Sequence, residues 1–344
     1  MHNHRIFSLL TAAVLGLGTQ AQAVPTPTVP RTAATAARPL RILLTTDDGI
    51  NGAGMRILRD TLCAAGHEVT VVAPSADRSG TSGALTLNAV MRTTRGTFPC
   101  GTGTGASWAL TGTPADSVLF GLSVVFGAQK PDLVISGINY GQNVGRAVNH
   151  SGTVGAAVAG AEEGVPSIAV SIGLNLADSG TGFSQTLAAA PTVATYVKDL
   201  AEQLRDTAGR DGRLLPDRIA LNVNYPVVLD EAGQFDASQV GGPSVTFIGH
   251  AEVVRPTYLP VPNTPDTYIS QGPICGLSTA CAPETEAGAD TTALEEGEIS
   301  MTPIAVDGTE PPSLRPLLKV RLRKQSPFGP VVPFKAGGPP SAGW

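Results

Sequence analysis

Short apolar runs bounded by Gly, Pro or Asp recur along the first two thirds of the chain, with stretches of helical spacing between them. Residues 41–46 form the first run, closed by Asp47-Asp48-Gly49, and predict a buried strand ending in a turn. Met55, Ile57, Leu58 and Leu62 follow at near-helical spacing, with Gly66 as a stop. Residues 69–73 are the next strand, stopped by Pro74, so the unit is β-α-β with a right-handed crossover. Residues 108–111 predict a further strand, and Pro114 suits the first turn of a helix over 116–126. Strands at 133–136, 167–171 and 219–223 then alternate with helices at 154–163 and 187–204. This rhythm predicts an α/β fold with a doubly wound, mostly parallel sheet. Ligands of such sheets sit beyond the carboxyl ends of the strands, where Asp47, Asp48, Ser79 and Asn139 fall.

After Pro226 the rhythm breaks into scattered short β-like runs rich in Pro and Gly, which predicts a C-terminal β-rich extended arm over 227–304. Exposed ladder edges find partners, so this arm is the expected oligomerisation region of at least a dimer. Residues 305–344 read as a C-terminal extension, partly loose, and 41–226 as the core. At the other end, His4 and Arg5 precede an apolar stretch over 6–17 and a small-x-small triplet, Ala21-Gln22-Ala23. That order predicts a signal peptide over 1–23, rather than a buried N-terminal helix, and a mature chain beginning near Val24. Residues 24–40, rich in Pro, Thr and Ala, read as a linker. The expectation is an exported protein, periplasmic or secreted, with no membrane anchor after cleavage.

Composition narrows the partners. A net charge of −5 leaves no basic footprint for a nucleic-acid polymer. Apolar residues make up 42% and charged ones 15%, enough to build a core and too little charge for a disordered chain. The four cysteines, Cys63, Cys100, Cys275 and Cys281, lack paired CxxC spacing and suit structural disulfides in an oxidising compartment. A local Cys275–Cys281 bridge is favoured, leaving Cys63 with Cys100, although four cysteines permit three connectivities.

Asp47-Asp48-Gly49 is the strongest chemical feature. Two adjacent carboxylates at the end of a buried strand repel each other and lose hydration, and a divalent cation offsets both. A turn in which one aspartate caps the next helix would explain them equally well. Ser79 and Asn139 add neutral oxygen donors at the same sheet edge, and an all-oxygen set suits Mg²⁺ or Mn²⁺. Asp77 lies on the nearby loop, outside that set. Ser151-Gly152-Thr153 opens the helix at 154 and can hold a phosphate through free N–H groups, or simply cap the helix. Gly101-Thr-Gly-Thr-Gly105 precedes a strand and lacks the G-x-G-x-x-G spacing of a dinucleotide loop. His150 is either a general acid or a solvated loop residue.

In this order the segments resemble the SurE family of nucleotidases. The matching stretches are Ile42 to Ile50, Val71-Val-Ala-Pro74 with Arg78-Ser-Gly80, Gly112-Thr-Pro-Ala-Asp116, and Pro131 to Asn139. Ser151 to Ala157, Ile168-Ala-Val-Ser171 and, more weakly, Gly297 to Pro303 continue the likeness. The resemblance implies a Rossmann-like core and a divalent-metal phosphatase that frees phosphate from nucleoside 5′- and 3′-monophosphates. Its metal ligands fall on Asp47, Asp48, Ser79 and Asn139, one cation per subunit, with Asp47 and Asp48 catalytic. Its phosphate contacts fall on Asn143, Ser151, Gly152 and Thr153. It also implies dimers or tetramers that exchange C-terminal arms. Thr46, Ser117 and Ala159 depart from the family's usual Asn, Cys and acidic residue, and the loop 145–150 lacks its usual acidic residues. These departures bear on substrate choice and leave every metal ligand in place. A broad-specificity exported acid phosphatase and a metal-binding assembly protein without turnover are the alternatives.

Overall fold

The computed structural model describes residues 38–209 and 212–307, so the expected signal peptide, nearly all of the linker and most of the C-terminal extension lie outside the described residues. Strand β1 (Arg41–Thr45) leads through α1 (Ala53–Ala64) to β2 (Glu68–Pro74). A hairpin of β3 (Thr93–Cys100) and β4 (Gly103–Leu110) follows, then α2 (Pro114–Phe120) and β5 (Leu133–Tyr140). The alternation continues through α3 (Gly152–Glu162), β6 (Ser167–Ile172), α4 (Ser184–Asp206) and β7 (Ile219–Tyr225). Beyond lie β8 (Pro243–Val245), β9 (Thr257–Pro260), β10 (Tyr268–Gln271), α5 (Asp290–Glu295) and β11 (Ile299–Ala305).

Nine strands form one sheet in the order β3-β4-β2-β1-β5-β6-β7-β11-β8. The six from β4 to β7 are mutually parallel, while β3 and β11 run antiparallel to their inner neighbours. The fold is the α/β, mostly parallel sheet that the alternation predicts. Chain order reverses between β1 and β5, which makes that gap the topological switch point where such sheets bind ligands.

Side chains alternate across β1 and divide the core in two. Ile42 and Leu44 are fully buried and pack with Met55 and Leu58 of α1 and Val193 and Val197 of α4. Leu43 faces the other layer and packs with Val118 of α2, Val134 of β5 and Ala156 of α3. A strand buried on both faces has no polar alternation, which is why its sequence reads as a continuous apolar run.

Several elements differ from their sequence reading. The hairpin partner β3 carries only one buried side chain, Phe98, so no apolar run announces it. The turn between β3 and β4 takes up the start of the Gly101–Gly105 stretch, which therefore serves a hairpin and not a nucleotide loop. The predicted helix over 116–126 stays α-helical only to Phe120 and widens over Gly121–Phe126. Within the β-rich region, β9 and β10 form a separate two-stranded sheet that exposes Tyr258, Leu259, Tyr268 and Ile269. β11 instead returns to the main sheet beside β7.

Two carboxylates tie the segment before β11 to the core. Buried Asp290 accepts the N–H groups of Gly145, Gly249 and Thr291. Burial pushes the Glu284 carboxyl up, but N–H groups of Thr285, Ala251, His250 and Glu286 outweigh it and hold it at about 2. Cys63 at the end of α1 lies at disulfide distance from Cys100 at the end of β3, as does Cys275 from Cys281.

Candidate metal centre and phosphate site

The loop after β1 places Asp47 at the switch point with 3% of its surface exposed. Its carboxylate lies against the start of α3, where the Thr153 hydroxyl donates to Oδ1 at 2.7 Å and the Thr153 N–H to Oδ2 at 3.1 Å. A positive helix end and charge-assisted hydrogen bonds lower the cost of burying a carboxylate there. The approach is close: a Cβ on Gly152 would stand 2.9 Å from that of Asp47. Gly49 is held at φ +84°, and a Cβ there would meet the Ala76 backbone at 2.9 Å. Glycine at both positions lets the two loops close over one another.

Asp48 is less well supplied. Thr46 Oγ1 accepts its N–H at 3.2 Å and lies 3.4 Å from its Oδ2, so the threonine that departs from the family's asparagine closes the turn itself. Burial, the charge of Asp47 and the charge of Asp77 together push the Asp48 carboxyl up to about 6. Asp47 is raised too, by burial first, against the lowering effect of its bonds to Thr153. Neither aspartate caps α1, whose N-cap is Gly52 with no side-chain bond. The helix-cap explanation of the pair is therefore not what the structure shows.

Segment 76–79 wraps the same site. The Arg78 N–H donates to the Asp47 carbonyl at 2.7 Å. Asp77 Oδ1 accepts from both the N–H and the hydroxyl of Ser79, at 2.8 and 2.7 Å, and its charge acts on Asp47 and Asp48. Asp77 is thus part of the site's electrostatics, although the sequence reading sets it outside the ligand set. At the end of β5, pairing with β6 shifts register between Ser136 and Asn139, a bulge that re-aims the strand end. The Asn139 side chain spends its amide on the Gly141 carbonyl at 2.7 Å, a bond that leaves its Oδ1 an acceptor.

At the start of α3, Ser151 caps the helix by accepting the Val154 N–H at 3.0 Å. Asn143 sits in a buried network: its amide donates to Ser171 Oγ and its N–H to Asn224, and its carbonyl accepts from Asn222 and Asn224. Asn222 and Asn224 share one face of β7 and signal this network only as two polar residues interrupting an apolar strand. His150 is exposed, and its carbonyl accepts from the Ser82 N–H.

These residues suit a hard cation. Both carboxylates carry raised pKa values, Asp47 despite its two donors and Asp48 with little to relieve it, as suits a site completed by positive charge. The Thr45 and Ser136 hydroxyls, register partners on β1 and β5, are buried with no hydrogen-bond partner among the described residues.

The sequence profile of one family, described as survival protein SurE, matches residues 42–254. The chain belongs to the SurE family. It is 36% identical over 278 residues to the 5′-nucleotidase SurE of Gloeobacter violaceus, an alignment covering 80% of this chain and 93% of that protein. To the 5′-nucleotidase SurE of Desulfatibacillum aliphaticivorans it is 37% identical over 286 residues, 83% of this chain and 100% of the relative. The crystal structure of the SurE protein from Aquifex aeolicus is similar at a TM-score of 0.59 and 28% identity, covering 83% of this chain and 99% of that one. Ala159, where SurE proteins usually carry an acidic residue, packs here in the apolar layer with Leu43 and Val118.

The raised Asp48 pKa has a sign. An aspartate whose folded pKa lies near 6, above its ordinary 3.8, destabilises the fold as pH climbs from about 4 through about 6. In chelator, the wild-type melting temperature should fall between pH 5 and pH 7, and Asp48→Asn should flatten that fall. Parallel slopes for the two proteins in calorimetric melts would remove the carboxylate repulsion from the account.

Proposed function

We propose that this chain hydrolyses nucleoside 5′- and 3′-monophosphates to nucleoside and phosphate, using one divalent cation per subunit, Mg²⁺ or Mn²⁺. The observation that carries the reading is the buried Asp47 carboxylate held against a helix start beside the under-solvated Asp48. It is supported by relatives named 5′-nucleotidase that align over nearly their whole length.

Asp47, Asp48, Ser79 and Asn139 would hold the cation. When bound, it supplies Lewis-acid charge neutralisation at a phosphoryl oxygen. The chain's own residues do the rest. Thr153 fixes the rotamer of Asp47, and Asp77 takes the hydrogen of Ser79 so that the serine oxygen keeps its lone pairs free. The first N–H groups of α3 and the helix dipole favour a phosphate beside them. Asp48, with a single long side-chain contact, has acceptor capacity left to orient a water for attack on phosphorus.

Phosphate release from a panel of monophosphates, with and without chelator, tests this reading. Nucleotides should exceed simple phosphomonoesters, chelator should abolish turnover, and Asp48→Asn should lower kcat by roughly 100-fold or more, with partial rescue by excess Mn²⁺. Equal rates on all phosphomonoesters would favour the broad-specificity alternative. Full activity of Asp48→Asn in chelator would end the metal-centre reading.

Export and assembly belong to the same proposal. The order of charged, apolar and small residues over 1–23, and two cysteine pairs at disulfide distance, support a periplasmic or secreted protein. Edman sequencing of exported protein should begin near Val24, and a retained Met1 would count against export. The β9–β10 hairpin exposes apolar residues on a sheet of two strands, which supports a homodimer or homotetramer built through residues 226–300. Light scattering at micromolar concentration should give at least a dimer; a monomer would contradict this.

A further inference from the structure

The start of α3 is where the family resemblance puts phosphate contacts, and Thr153 is the residue whose placement departs from that duty. It has no exposed surface, and both of its donors end on one carboxylate. The contact spans 106 positions of sequence, so it is a tertiary feature and not a local turn. A threonine hydroxyl has one hydrogen to give. A phosphate oxygen could take it only by displacing Asp47, a group that is itself 3% exposed. Gly152 makes the contact possible, because any side chain there would collide with Asp47.

We propose that Thr153 is a positioning residue for Asp47, orienting its carboxylate for the cation, and not a phosphate contact. Phosphate recognition at this helix then falls to the Gly152 N–H, which lies outside the i→i−4 ladder, and to the Ser151 hydroxyl hydrogen, which its cap bond does not use. The inference rests on Asp47 as a cation ligand, and the experiment separates the two.

Wild-type mature protein, Thr153→Val, Thr153→Ser, Ser151→Ala and Asp48→Asn are stripped with chelator and checked for folding by circular dichroism. Each is titrated with Mn²⁺ by calorimetry and electron paramagnetic resonance, then with inorganic phosphate at saturating Mn²⁺. Loss of an outer partner of a metal ligand costs roughly 10- to 100-fold in affinity, and that is the expected rise in the Mn²⁺ Kd of Thr153→Val. Thr153→Ser, which keeps the hydroxyl, should restore binding, and phosphate Kd should move with Ser151→Ala and not with Thr153→Val. Should the valine variant be unfolded, Thr153→Ala takes its place. A Thr153→Val protein with wild-type Mn²⁺ affinity, or one weakened only toward phosphate, overturns the inference. If Asp48→Asn also binds Mn²⁺ like wild type, it is the metal-centre reading that fails.

Discussion

A carboxylate placed almost out of water must be met by donors or by a cation, and the Asp47 carboxylate organises its surroundings by that demand. Its two bonds to Thr153 dock the start of α3 onto the loop after β1. The docking requires glycine at position 152, and it brings Ser151 to the same sheet edge as Asp48. The opposite side is closed by segment 76–79, whose Arg78 N–H holds the Asp47 carbonyl. The loops after β1, β2 and β5 therefore meet at one residue, Thr153 on its carboxylate and Arg78 on its carbonyl.

The hydrogen bonds do not finish the task. Asp47 keeps a raised pKa despite two donors, and Asp48 is higher than its ordinary value with almost none. Asp77 adds a third negative charge instead of relieving the other two. A protein selected only for stability would replace one of these carboxylates by a neutral group. Keeping them makes sense for a site completed from outside by positive charge. The electrostatics of this chain fit the divalent-metal requirement of its family.

Much of this is legible in the sequence. The β1 run and its Asp-Asp-Gly ending carry the strand, the turn and the charge together, because a parallel strand buried on both faces leaves an unbroken apolar signature. Strand β3 left none, since an exposed edge with one buried Phe98 has no pattern to read. Strand β11 hid for the opposite reason: its buried Ser300 and Thr302 make a core strand look polar. For the candidate site, residue type and sheet edge point to Asp47, Asp48, Ser79 and Asn139, but not to who holds whom. The Asp77–Ser79 contact is a local two-residue turn, but the role of Thr153 depends on a contact 106 residues long that no spacing rule encodes.

The same distinction bears on how the site is divided between cation and phosphate. A helix start offers a small number of N–H groups, and each can serve one partner at full strength. In this chain α3 gives the Val154 N–H to its own cap and the Thr153 N–H to Asp47. What remains for an anion is the very first N–H, at Gly152, together with the field of the helix. A helix whose donors are partly spent on the protein's own aspartate attracts phosphate less strongly unless that aspartate is itself neutralised. With Asp47 as the proposed cation ligand, cation and phosphate would be coupled through it: positive charge on the aspartate would restore the pull of the helix end, and without it the same carboxylate would repel an anion.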